Sequence, residues 1–128
     1  IARSRRSMQV FCVLMLDVDF FKKINDEYGH AGGDDVLVQL AQLLVAQLRS
    51  IDLPARIGGE EFAVLMPGTP LAEAVTAAER LRLALSDQGV AASIGSAERK
   101  PHRGLLEAWQ RADTAMYEDK SRRKPAQP

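Results

Sequence analysis

The sequence predicts an α/β domain in which a single mixed central sheet is flanked by helices. Short apolar runs of strand length alternate with longer segments whose apolar residues recur every three to four positions, in the order β-α-α-β-β-α-β-α. Two of the short runs meet at a Gly-Gly turn, which supplies an antiparallel hairpin within a sheet otherwise crossed by helices.

The elements follow in order. Val10 to Leu16 is a near-continuous apolar run containing Val10, Phe11 and Val13, and reads as a buried strand. Asp19 is placed to N-cap a helix from Phe20 to about Tyr28 that stops at Gly29. Asp34 is placed to cap the next helix, to about Leu48, with Val36, Leu37, Leu40, Leu43, Leu44 and Leu48 on one face. Pro54 to Ile57 and Phe62 to Met66 are strands around Gly58-Gly59-Glu60-Glu61. Pro67, Gly68 and Pro70 break the chain before a helix from Leu71 to Leu85, with Leu71, Ala74, Val75, Ala78, Leu81 and Leu85 inward. Val90 to Ile94 is a strand stopped at Gly95. Leu105 to about Lys120 is the last helix, with Leu105, Leu106, Trp109, Ala112 and Met116 together.

The 128 residues fit one domain, and 46% hydrophobic with 27% charged residues is enough for an ordinary core. A formal net charge of zero gives no global attraction to nucleic acid or to a membrane surface, so neither is an expected partner. Cys12, the one cysteine, sits in an apolar run and reads as a reduced core residue, as in a cytoplasmic protein. No apolar stretch reaches the roughly 20 residues that span a bilayer, although a longer protein is free to carry an anchor elsewhere. The chain opens on Ile1 rather than Met, as a piece of a longer protein would. Residues 121–128 read as a basic tail.

Three carboxylates carry the chemistry. Asp17 stands where the first apolar strand ends, and Glu60 and Glu61 stand in the turn between two other strands. If that strand lies beside the hairpin, they can meet at one end of the sheet. Converging carboxylates repel one another and persist best around a hard divalent cation, to which the Val18 carbonyl can also contribute. A lone Gly-Gly-Glu-Glu is equally compatible with a charged hairpin tip, and Asp19 is better placed as a cap than as a ligand.

The surrounding segments change that balance. Leu16-Asp17-Val18-Asp19-Phe20-Phe21-Lys22-Lys23-Ile24-Asn25-Asp26 is followed by Tyr28-Gly29-His30, Gly33-Asp34, Arg56-Ile57-Gly58-Gly59-Glu60-Glu61-Phe62, Ser93-Ile94-Gly95, and Ala112-Asp113 with Tyr117 and Lys120. In that order they resemble the GGDEF domain of diguanylate cyclases, bacterial signalling enzymes, in its GGEEF variant, from about Val10 to Lys124. The resemblance implies a palm-like nucleotidyl-cyclase fold and condensation of two GTP into cyclic di-GMP and two pyrophosphates. The 3′-hydroxyl of one GTP attacks the α-phosphate of the other across a homodimer, under the control of an upstream regulatory domain.

The same resemblance implies roles residue by residue. Asp17, Val18, Glu60 and Glu61 match metal positions for Mg²⁺ or Mn²⁺, two ions per site. Glu60 and Lys22 are the candidate catalytic groups. Asn25 and Asp34 match the pair that reads guanine, a chemistry that suits an amide and a carboxylate. Phe20, Phe21, Lys22 and His30 match positions near the nucleotide, and Lys120 and Lys124 match triphosphate contacts. Arg49 and Asp52, an Arg-x-x-Asp with five residues between it and Gly58, match with Arg80 the site where the product inhibits.

Two departures stand beside these matches. The family shows Ala-Lys-x-x-Gly-Arg where this chain has Asp119-Lys120-Ser121-Arg122-Arg123-Lys124, so a lysine without bidentate geometry replaces an arginine. The usual Asp-x-Leu-Thr-x-Leu-x-Asn-Arg opening is also missing, so residues 1–128 are expected to be a catalytic domain without its customary start. The rival reading is a non-catalytic module that binds GTP or cyclic di-GMP.

Overall fold

A computed structural model describes residues 10–123. Four strands and three helices alternate as β1 (Phe11–Val18), α1 (Phe21–Gln47), β2 (Leu53–Arg56), β3 (Glu61–Pro67), α2 (Leu71–Asp87), β4 (Ala92–Glu98) and α3 (Leu105–Arg123). The sheet order is β2-β3-β1-β4. Each of its ladders, β1 with β3, β1 with β4 and β2 with β3, is antiparallel. The expected class holds, but the sheet among the described residues is antiparallel rather than mixed. The connections explain this: α1 delivers the β2–β3 hairpin so that β3 returns against β1, and α2 brings β4 back against the other edge of β1.

β1 is the centre of the molecule because it has a neighbour on each side and a helical layer on each face. Cys12, Leu14, Leu16 and Val18 face α1 and α2, packing with Leu37, Leu40, Leu43, Leu44, Ala74, Ala78, Leu81 and Leu85. Val13 and Met15 face α3, against Ala108, Ala112 and Met116. This two-sided burial accounts for the unbroken apolar run in the sequence. β2 is the exposed edge, and Pro54 is tolerated there because an edge strand has a backbone direction without a ladder.

Several boundaries and faces differ from expectation. α1 continues from Phe21 to Gln47 with one interruption at Gly29, where φ of 74° and ψ of 174° redirect the axis. The second segment therefore begins before Asp34, which lies inside the helix and caps nothing. The N-cap position falls on Phe20 rather than Asp19, and Phe20 makes no side-chain cap bond; Asp19 is buried and accepts a hydrogen bond from Ser93 Oγ at 2.5 Å. On α2, Leu71 and Val75 are exposed and Ala77 takes the inward place. On α3, Leu105 and Leu106 are exposed, and the buried stripe is Ala108, Ala112 and Met116. α3 also runs on to Arg123, so the first residues of the expected basic tail are helical.

Gly95 does not end β4, which passes through it to Glu98. A Cβ there would strike the backbone of α3 at Ala112 O and Met116 N. The glycine and the alanine stripe together let α3 sit directly on the sheet. Gly95→Ala is expected to destabilise the fold by about 1–3 kcal/mol through this overpacking, read as a lower urea midpoint. An unchanged midpoint would mean that α3 can move off the sheet at no cost.

Candidate active site and a second cavity

The end of β1 places Asp17 between two neighbours, opposite Glu61 on β3 and opposite Ser93 on β4. The turn before β3 is closed by Ile57 N–H to Glu61 O at 2.9 Å, and is tied to β1 by Val18 N–H to Glu60 O at 3.2 Å. Arg56 braces the same turn from outside, donating from Nε to Gly58 O at 3.1 Å and from Nη2 to Gly59 O at 2.8 Å. Neither Gly58 nor Gly59 has a positive φ, and a Cβ on Gly59 would meet open space. The pair is therefore not demanded by turn geometry, unlike the reason the sequence suggested.

Asp17 is only 4% exposed. Its Oδ2 receives Lys120 Nζ at 3.3 Å, and its Oδ1 is buried without a hydrogen-bond partner among the described residues. Burial pushes the carboxyl from an ordinary 3.8 up to about 6; Lys120 opposes the rise, and the Glu60 and Glu61 charges add to it. The Glu61 charge also pushes the Tyr117 phenol up from α3, ahead of burial and Asp113. The three expected carboxylates thus share one electrostatic neighbourhood.

They do not form a closed cage. Among the described residues no group of three or more His, Cys, Asp or Glu could hold a metal ion by itself. Successive residues of an extended chain point in opposite directions, and of the two glutamates only Glu60 lines the cavity beside Asp17. That cavity, of about 220 Å³, is bounded by Val18, Asp19, Phe20, Phe21, Lys22, Glu60 and Lys120. An orphaned, desolvated carboxylate oxygen beside an all-oxygen donor set fits a hard divalent cation that takes its remaining ligands from substrate.

The loop entering α1 completes this cavity. Phe20 adopts φ of 58° and ψ of 32°, a left-handed conformation that is strained for a bulky residue, while 45% exposed. The bend starts α1 abruptly, and Phe20 at the N-cap position has no side-chain cap bond to offer its first N–H groups. Those groups and Lys22 meet the cavity at a helix start, where anions are favoured. Around the Gly29 break, a Cβ on Gly33 would strike Asn25 Oδ1, so the glycine lets the Asn25 amide lie against the second helical segment. Asp34 lines a separate groove of about 620 Å³ with Leu37, Phe62 and Arg56, between α1 and β2. His30 is exposed just past the break, and Lys124 lies outside the described residues.

The decisive comparison is with sequence families. The model of the family described as diguanylate cyclase, GGDEF domain, matches residues 1–125. The chain belongs to the GGDEF family. Over 120 residues this GGDEF domain is 43% identical to the response regulator PleD of Caulobacter vibrioides, covering 84% of the chain and 26% of PleD. It spans about a quarter to a third of the length of the curated relatives it matches, 26% to 34%. Among solved structures it is similar to the GGDEF domain of DgcB from Caulobacter crescentus in complex with c-di-GMP. That match has a TM-score of 0.88 and 30% identity, over 96% of this chain and 79% of that one. It is also similar to the active GGEEF domain of a diguanylate cyclase from Vibrio cholerae. There the TM-score is 0.86 at 29% identity, over 95% of this chain and 83% of that one.

A second cavity of this GGDEF domain, about 420 Å³, gathers Arg49 and Asp52 from the loop before β2 and Arg80 from α2, with Thr69, Glu73 and Thr76 beside them. Arg49 donates to Asp52 from Nε at 3.2 Å and from Nη2 at 2.8 Å, and its backbone N–H reaches Asp52 Oδ2 at 2.9 Å. The Asp52 side chain is 1% exposed beneath this pairing. Hydrogen bonding to Asp52 pushes the Arg49 guanidinium further up. In this state Asp52 holds Arg49 rather than presenting a free edge to a base.

Reading the sequence missed Arg56, whose signal was its place two residues before the Gly-Gly turn, and Asp119. The latter is buried and joins three elements, accepting from Ile94 N–H and from Arg82 Nη2, each at 2.9 Å. It precedes Lys120 and so pins the end of α3 that carries it.

Because folding raises the Asp17 pKa, its contribution to stability is complete below about pH 3.8 and is lost as pH rises through about 6. In metal-free protein, Asp17→Asn is expected to remove that slope and to be more stable than the parent above pH 6 by about 2–3 kcal/mol. Urea unfolding at pH 4, 6 and 8 checks it; parallel pH profiles for the two proteins would contradict the buried, raised carboxyl.

Proposed function

We propose that this GGDEF domain is the catalytic part of a diguanylate cyclase. It joins two GTP into cyclic di-GMP, with release of two pyrophosphates, and is inhibited by its product at the Arg49, Asp52 and Arg80 cavity. The observation that carries the reading is the buried Asp17, with one oxygen unpartnered among the described residues and the other on Lys120, beside the Glu60 turn and the start of α1. An arrangement of that kind destabilises the apo protein and is useful only to a site that binds cations and phosphates.

Diguanylate cyclases of this family generally use divalent metals, and Asp17, Glu60, Glu61 and the Val18 carbonyl are the groups that would hold them. When bound, Mg²⁺ or Mn²⁺ neutralises phosphate charge and raises the acidity of a coordinated hydroxyl. The chain's own residues do the rest. The first N–H groups of α1 and Lys22 hold phosphate oxygens, and Lys120 is released from Asp17 to the same phosphates. Asp34 and Asn25 accept from and donate to the guanine edge, with Leu37 and Phe62 enclosing its faces. Base and triphosphate then occupy the two cavities on either side of the Phe20 bend. One domain supplies one GTP and one half-site, so the reacting 3′-hydroxyl and α-phosphate meet only when two copies face each other in a symmetric dimer. An upstream regulatory domain would set how often they do.

With GTP and Mg²⁺, cyclic di-GMP is expected at a rate per domain that rises with protein concentration. GTP binding without product at every concentration would favour the non-catalytic module instead. Glu60→Gln is expected to reduce turnover by about a hundredfold or more while leaving the melting temperature near that of the parent, a loss typical of removing a charged group at a phosphoryl-transfer centre. Asp34→Ala is expected to lower the preference for GTP over ATP by about tenfold or more. Since Asp34 caps no helix, this change carries no capping penalty, and unchanged discrimination would exclude it from base reading.

A further inference from the structure

Arg49 is held by more than the Arg-x-x-Asp pair. Its Nη2 also donates to Pro67 O at 3.1 Å and to Thr69 Oγ1. Thr69 is 2% exposed and lines the same cavity. Its hydroxyl donates its one proton to Pro67 O at 3.2 Å, which leaves Oγ1 only its lone pairs to offer and commits it to accept from Arg49. Asp52 and Thr69 therefore grip the guanidinium from two sides through Nε and Nη2. These bonds engage Nε and Nη2 and do not use Nη1, and the half-exposed Arg49 side chain lines the cavity together with Arg80 of α2.

We infer that Thr69 is a positioning residue of the product cavity, its hydroxyl orienting Arg49 for the guanine base of cyclic di-GMP. The inference rests on the reading of this cavity given above. Arginine has many rotamers, and immobilising one on binding is costly. A guanidinium already fixed in position meets the O6 and N7 acceptors of a guanine without that loss. Thr69 touches Arg49 rather than the ligand, so its effect is entirely on how Arg49 is presented.

The test is calorimetric titration of cyclic di-GMP into the 128-residue chain and its variants. Thr69→Val keeps the shape and removes the acceptor, and is expected to weaken binding about five- to tenfold. Thr69→Ser keeps the acceptor and is expected to return the Kd to within about twofold of the parent. That rescue would not follow if the residue only filled space, because serine removes the methyl group. Arg49→Ala is the control and is expected to abolish measurable binding. If Arg49→Ala abolishes binding while Thr69→Val leaves it unchanged or tightens it, the role of Thr69 is overturned and the cavity stands. If Arg49→Ala also leaves binding unchanged, the assignment of the cavity to the product falls and this inference falls with it.

Discussion

The burial of a carboxylate at the end of the central strand is the constraint to which the rest of the site answers. A desolvated carboxylate with an unpartnered oxygen is costly, and Asp17 meets that cost with a single cation, Lys120, and a proton held up to about pH 6. Its position is not negotiable: β1 is buried on both faces and paired on both edges, so its last side chains are carried wherever the sheet registers put them. Rigidity in the ladder is what turns one acidic residue into a fixed point of negative charge.

The other parts of the site are short departures from regular structure hung on that frame. The Phe20 bend and the Gly58-Gly59 turn lie at the ends of elements, and the Gly29 break interrupts α1 from within. Strain at Phe20 is sustained because Asp19 is locked on both sides, by its N–H to Ala91 O at 2.8 Å and by Ser93. The residue that the sequence suggests as a helix cap is in fact the anchor that forces the next residue into a left-handed conformation.

What could be read from the sequence follows from this division. Periodicity exposed β1 and the buried face of α1, because two-sided and one-sided burial leave different patterns in Leu14, Leu16, Leu37, Leu40 and Leu44. It was incomplete where small residues do the packing: Ala77, Ala108 and Gly95 carry little hydrophobic signal, so the inward faces of α2 and α3 were drawn one turn too wide at Leu71, Val75, Leu105 and Leu106, and β4 was ended too early. Spacing and resemblance together put Arg49, Asp52 and Arg80 in one place, but the bonds among them were not legible. Asp52 looked like a reader of bases, and its concealment beneath Arg49 depends on a tertiary neighbour, Thr69, that no local pattern connects to it.

The cavity beside Lys120 and the cavity around Arg49 share no lining residues, yet a buried carboxylate links the helices that border them. Arg80 lies on α2, two residues from Arg82, which is bound through Asp119 to the turn of α3 that presents Lys120 to Asp17. Arg82 Nη1 also pairs with Glu79 Oε2 at 3.4 Å and its side chain reaches solvent, so its charge does not rest on Asp119 alone. α2 and the Lys120 end of α3 are joined by a directed ion pair. Lys120 is in turn the cation bonded to Asp17 among the described residues. The constraint that begins with a buried carboxylate at the end of β1 thus extends, through Lys120, Asp119 and Arg82, to the wall of the other cavity.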